Sequence, residues 1–165
     1  MTIRAGVAAD APALARIHHA ARAAALPGLR EAHDEVGVAH WLATTMMARH
    51  TVRVATAGGV PVGYVGFGSD AVHGPMVLHL YLDPAWHRRG IGSHLLAEAS
   101  AALGPRLSLF CIARNTGARA FYERHGFRAA AASDGAGTEE GEPDVLYVRD
   151  AAPSDTDTTT SGSIP

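Results

Sequence analysis

The sequence predicts a mixed α/β (α+β) domain, and three observations carry that prediction. The hydrophobic period changes from helical to alternating near residue 50 and back to helical near residue 91. Glycine and proline punctuate the ends of the periodic segments. The elements then read β-α-α-β-β-β-α-β-α-β-β, with helices and strands interspersed along the whole chain. A chain of 165 residues, 47% hydrophobic and 18% charged, is long enough to bury one core without disulfides or a structural metal.

Thr2 to Ala5 (TIRA) is the first strand. Asp10 is placed to cap the helix that follows, with Pro12 in its first turn, where a missing N–H costs little. Leu14, Ile17, Ala21 and Ala24 follow at helical spacing until Pro27-Gly28 breaks the pattern. After a polar loop at residues 31–34, Val38, Trp41, Leu42 and Met46 predict a second helix with those four on its apolar stripe. Residues 51–57 (TVRVATA) alternate, Gly58-Gly59 is a hairpin turn, and residues 60–68 (VPVGYVGFG) return. Residues 76–82 (MVLHLYL) form a third β run, closed by Asp83-Pro84.

A glycine-rich turn then leads into a helix with Ile91, Leu95, Ala99 and Leu103 on one face, ended by Gly104-Pro105. Residues 106–113 read as a strand and residues 115–125 as a helix, with Gly126 in the C′ position that favours glycine. Two last strands, 127–132 and 145–149, flank a polar loop at residues 133–144. Residues 151–165 (AAPSDTDTTTSGSIP) lack hydrophobic periodicity and are expected to form a disordered tail behind a domain of residues 1–150.

Composition narrows the function. All 14 cationic side chains are Arg, which with the abundance of Ala, Gly and Pro fits the codon bias of a GC-rich genome. The net charge of -2 argues against a nucleic-acid partner. Ten His residues leave room for a change in mild acid. Cys111 is the one cysteine, so no intramolecular disulfide can form and a reducing compartment fits. The first ten residues do not resemble a signal peptide, and no stretch approaches the roughly 20 apolar residues of a membrane span, so a cytoplasmic protein is expected.

The informative stretch is residues 80–96, LYLDPAWHRRGIGSHLL. A buried strand delivers Arg88, Arg89, Gly90, Ile91, Gly92 and Ser93 to the start of a helix. Glycines let the backbone approach an anion, and the first helical turn has N–H groups without partners. The helix dipole adds about half a positive charge there, and two arginines add more. These are the requirements of a pyrophosphate site, although alone the segment fits a glycine-rich turn with solvated arginines equally well. Metal chemistry has no comparable support, because His18 and His19 are adjacent and the other histidines show no ligand spacing.

Residues 80–93 resemble the acetyl-CoA-binding motif of the GCN5-related N-acetyltransferase (GNAT) superfamily, written Gln/Arg-x-x-Gly-x-Gly/Ala. Residues 115–127, NTGARAFYERHGF, are similar to that superfamily's next motif, in which Asn opens a helix and Tyr follows before Gly-Phe. The two occur in the right order with a strand between them, and the resemblance spans roughly residues 2 to 150. It implies a mixed central β-sheet flanked by about four helices.

The resemblance further implies that backbone groups of Leu80, Tyr81 and Leu82 pair with the pantetheine arm of acetyl-CoA. Arg88 to Ser93 would hold the pyrophosphate, and Asn115 would bond the pantetheine region. One departure is His87, which stands where the motif has Gln or Arg. It would tune cofactor affinity and could make it pH-dependent.

The implied reaction is direct transfer of the acetyl group to a neutral amine. Tyr122 would act as general acid, since a phenol suits a departing thiolate. Apart from the resemblance, Tyr122 reads as a core aromatic beside Phe121. The general base stays unassigned. Residues 107–112 (LSLFCI) carry no carboxylate, His79 is the nearest candidate by type, and a water chain would also serve. Cys111 reads as a small buried hydrophobe, not a nucleophile.

In the family, specificity comes from the loops that here are residues 26–34 and 133–144. The second holds Glu139, Glu140, Glu142 and Asp144, which favours a cationic acceptor or simply solvates the loop. The expected partner is a small-molecule or peptide amine, with no membrane, and the fold is compatible with a homodimer. A non-catalytic acyl-CoA-binding regulatory module and a transferase acting on aminoacyl-tRNA are the other readings.

Overall fold

The computed structural model describes residues 1–150, and the expected tail lies outside the described residues. Seven strands, β1 (Thr2–Ala5), β2 (Thr51–Ala57), β3 (Val60–Asp70), β4 (Gly74–Leu82), β5 (Leu107–Ile112), β6 (Arg128–Ala132) and β7 (Asp144–Arg149), form one sheet in the order β1-β2-β3-β4-β5-β7-β6. Gly58 and Gly59, at φ 56 and 80, supply the left-handed pair that a two-residue hairpin requires between β2 and β3.

All neighbours are antiparallel except β4 and β5, which run parallel. Those two are in register only at Met76 and Ser108. Beyond that pair they part, and the sheet opens between the C-terminal halves of β4 and β5.

The helices are α1 (Ala11–Ala25), α2 (Glu35–Trp41), α4 (Ile91–Leu103) and α5 (Thr116–Arg124), with a short α3 (Met47–Arg49). A π-helical segment, Leu42–Met46, joins α2 to α3, so four helical runs flank the sheet. One face buries Leu95, Leu96 and Ala99 of α4 against Val65, Phe67, Leu109 and Tyr147. The other buries Leu14 and Ala15 of α1 with Leu42 and Met46 against Val54 and Tyr64. Each fully buried Leu contributes about 2 kcal/mol relative to exposure, so both helical layers are held by the sheet they cover.

The expected order of elements stands, with local corrections. Asp10 sits at the start of α1 but makes no capping bond. Its carboxylate instead accepts two hydrogen bonds of 2.8 Å from Arg4 and one of 2.9 Å from the Val7 N–H, anchoring β1 to the helix start. Asp34, not named as a cap, accepts from the Gly37 N–H at 2.7 Å. Trp41 leaves the apolar stripe that Val38, Leu42 and Met46 form and is 40% exposed. Its ring lies 5.3 Å from that of His79, on the wall of a cavity.

Candidate active site

Where β4 and β5 part, a cavity of about 210 Å³ opens, walled by Leu80 and Tyr81 of β4, Cys111 and Ile112 of β5, and Asn115 and Tyr122. Asn115 begins α5 by accepting a hydrogen bond from the Ala118 N–H at 3.1 Å, which fixes the helix that carries Tyr122. The Tyr122 ring packs on Phe127 and Tyr147, with centroids 5.7 and 6.3 Å away. Among the described residues its hydroxyl has no hydrogen-bond partner. Burial pushes the phenol well above its usual range, with Cys111 and Tyr81 adding to the effect, so it holds its proton at neutral pH. Burial likewise pushes the Cys111 thiol up to about 11, leaving no thiolate to act as nucleophile.

The β4 wall is irregular. Gly66 pairs with His79 and Phe67 with Val77, so Leu78 is an extra residue with no partner on β3. This bulge borders the cavity and leaves a backbone group of β4 outside the ladder.

At the end of β4 the chain turns into α4. Arg88 adopts a left-handed conformation at φ 62, uncommon for a residue with a side chain, and Gly90 follows at φ 77 as the N-cap of α4. The first helical turn receives no side-chain cap. Ile91 is buried, so only its backbone can serve a ligand. Ser93 is engaged, its Oγ lying 2.9 Å from His125 Nε2. Because His125 Nδ1 lies 2.8 Å from the Phe121 carbonyl oxygen, which can only accept, Ser93 donates to His125. The Arg89 guanidinium stacks 4.7 Å above the Trp86 ring. Leu80, Tyr81, Asn115 and Tyr122 thus converge on the cavity, whereas Leu82 and residues 88–93 lie beyond its lining.

A second cavity of about 260 Å³ adjoins the first and shares Arg22, His79, Tyr81 and Glu140 with it. Its remaining wall includes His18, Glu31, His33, Trp41 and Glu139. Arg22 stands between the two. Its Nε donates to both Glu31 oxygens at 3.0 and 3.2 Å, its Nη2 to Glu140 at 2.8 Å and its Nη1 to the Tyr81 hydroxyl at 3.3 Å. Burial acts against the charge, but Tyr81 and Glu31 outweigh it and Arg22 stays protonated.

The Tyr64 hydroxyl lies 3.0 Å from His79 Nδ1 and 3.4 Å from His18 Nδ1. Burial and then the Arg22 charge push His79 down to about 4. Burial, with His79, Arg22 and His19 behind it, pushes His18 down to about 2. Both imidazoles are therefore neutral near pH 7. Sequence reasoning named His79 as the nearest candidate base by type but missed Arg22, His18 and Tyr64. The one available signal was that His18 and Arg22 stand four residues apart on α1, where their side chains share a face.

The splayed seven-stranded sheet with four helical runs matches solved structures over nearly the whole chain. The apo form of YjaB from Escherichia coli superposes with a TM-score of 0.73 at 19% identity, covering 92% of this chain and 98% of that one. PaiA N-acetyltransferase from Thermoplasma acidophilum, in complex with coenzyme A, gives 0.67 at 19% identity, covering 90% and 99%. The sequence profile of the acetyltransferase (GNAT) domain matches residues 48–129, and the chain belongs to the GNAT superfamily. A Mycobacterium tuberculosis protein named "Probable N-acetyltransferase Rv2775" is 35% identical over 77 residues. That match spans 45% of this chain and 44% of the relative, less than half the length of either.

Proposed function

We propose that the chain is an acetyl-CoA-dependent N-acetyltransferase acting by direct transfer on a primary amine of a small molecule or peptide, with Tyr122 as general acid. The observation that carries this reading is the placement of Tyr122 on the wall of the cleft between β4 and β5, beside Cys111 and Asn115. The name of the M. tuberculosis relative and the coenzyme A complex of PaiA support it.

The residues present fit acetyl-CoA. The edge of β4 at Leu80, Tyr81 and Leu82 has no β5 partner, so its backbone groups can take an extended pantetheine arm as a further strand. The uncapped first turn of α4 with Arg88 and Arg89 suits a pyrophosphate. When bound, acetyl-CoA supplies an activated thioester carbonyl and a thiolate leaving group. The bulge at Leu78 offers backbone polarity for the carbonyl oxygen, and the Asn115 amide offers hydrogen bonds to the arm.

Tyr122 keeps its proton until a thiolate forms beside it. The amine arrives from the second cavity, where Glu31, Glu139 and Glu140 outnumber Arg22 and favour a cationic acceptor. The free Cys111 fits a reducing cytoplasm.

The test is CoA release from acetyl-CoA against a panel of polyamines, aromatic amines, aminoglycosides and short peptides. Tyr122→Phe is expected to lower kcat by about 10²-fold while acetyl-CoA binding, followed by calorimetry, stays within about threefold. An unchanged kcat across pH would remove Tyr122 from the reaction. Binding without turnover over the whole panel would favour a CoA-binding module.

A further inference from the structure

We propose that His79 takes the proton from the reacting amine nitrogen at its Nε2, with Tyr64 and His18 as positioning residues that hold it in the required tautomer. This rests on the transferase reading above. His79 is the one histidine that lines both cavities, and so stands between the acyl donor and the acceptor amine. Its Nδ1 lies 3.0 Å from the Tyr64 oxygen, and that oxygen lies 3.4 Å from His18 Nδ1.

A hydroxyl has one proton, so Tyr64 donates to one imidazole and accepts from the other. When Tyr64 donates to His18, His79 must present Nδ1–H to Tyr64, and its Nε2 is left with a free lone pair. Among the described residues that Nε2 has no hydrogen-bond partner. His18 faces only the acceptor cavity, which suits it to orient Tyr64 and not to receive the proton.

The groups facing His79 keep it neutral. From α1 come His18, at 5.3 Å between rings, and Arg22, with His19 behind at 5.4 Å from His18. From β3 and β4 come Tyr64 and Tyr81, and from α2 the uncharged Trp41. Glu31 and Glu140 are spent on Arg22. A base kept neutral into mild acid suits the nitrogen once it has bonded to carbon, because that positively charged nitrogen is far more acidic than a free ammonium.

The step balances. A neutral amine forms the N–C bond, the nitrogen gives one proton to His79 Nε2, the C–S bond breaks, and the thiolate takes the Tyr122 proton. The imidazolium and the phenolate are then neutralised by exchange with solvent.

Two experiments test this. In 15N-histidine-labelled wild type, NMR is expected to show His79 protonated at Nδ1 and bare at Nε2 at pH 7; the opposite tautomer overturns the proposal. In the CoA-release assay, with the best acceptor among putrescine, spermidine, tyramine and an alanine-terminated tripeptide, His79→Gln is expected to lower kcat about 10²-fold. Its acetyl-CoA KM should stay within threefold, and added imidazole should restore turnover to His79→Ala in proportion to its concentration. Tyr64→Phe should lower kcat about tenfold and mix the His79 tautomers. A His79→Gln variant as active as wild type would sink the base while leaving the transferase reading intact, whereas an inactive wild type would sink both.

Discussion

At the scale of single residues, Arg22 has the most consequential partners. Its side chain is 10% exposed, those of Glu31 and Glu140 are 26% and 20% exposed, and it bonds all three of Glu31, Glu140 and Tyr81. Replacing it by Met leaves two half-buried carboxylates facing each other without a counter-charge. Breaking such a pair from one side costs more than the pair itself is worth, because the remaining charge keeps its desolvation penalty. Arg22→Met is therefore expected to lose about 2–3 kcal/mol in urea unfolding, and Arg22→Lys to recover only part of that, since an ammonium cannot reproduce the fork of donors. A Met variant as stable as wild type would show that the cluster contributes nothing net. In the sequence its one signal was the four-residue spacing from His18 on α1, which says nothing of its carboxylate partners. Its carboxylate partners lie 9 and 118 residues away, on two loops whose proximity is a product of the fold.

At the scale of elements, legibility followed from how local the cause was. The start of α4 was readable because Gly90 and Gly92 answer a backbone requirement that any observer of the sequence can apply. Asn115 was readable as the residue that opens a helix, but the cap it forms with the Ala118 N–H emerged only in the structure. The bulge at Leu78 was not readable. MVLHLYL alternates without interruption, and the extra residue is set by the register of β3 across from it. The role of Trp41 was misread because a helical stripe shows which residues share a face but not that a cavity opens beside it. Gly90 gives the prediction that belongs here. At φ 77 it tolerates a methyl group poorly, although the nearest side-chain atoms are 4.0 Å from where a Cβ would stand. Gly90→Ala is thus expected to cost about 1 kcal/mol through backbone strain alone. It should also weaken acetyl-CoA binding several-fold by calorimetry, because the same turn presents the uncapped N–H groups. Gly117→Ala in α5, where φ is not positive and no atom lies within 4 Å, is the control and should leave binding unchanged. Equal binding by Gly90→Ala would separate the helix start from the cofactor.

At the scale of the whole molecule, the sheet divides two cores, and the splay of β4 from β5 connects the site to both. His18 and His79 lie on the α1 side of the sheet, next to the buried Tyr64. Their neutral form is built into the fold, and this couples the site to global stability. An unfolded histidine takes up a proton near pH 6.5, whereas folded His79 resists until about 4 and His18 until about 2. Between those limits the unfolded chain binds more protons, so stability must fall as pH falls. Each group contributes on the order of 1 kcal/mol per pH unit across that window. Asp10, held low by Arg4, adds its own loss as pH falls through the ordinary carboxylate range and below, and so does not overlap the upper part of the window. Urea unfolding at pH 7.5, 6.0 and 5.0 should therefore show a steady decline that begins below about 6.5. His79→Gln and His18→Gln should each remove about half of that slope, since glutamine carries no proton to be taken up. A wild-type stability that is flat from pH 7.5 to 5.0 would mean that these imidazoles charge in the folded state, and the neutral lone pair assigned to His79 would go with it.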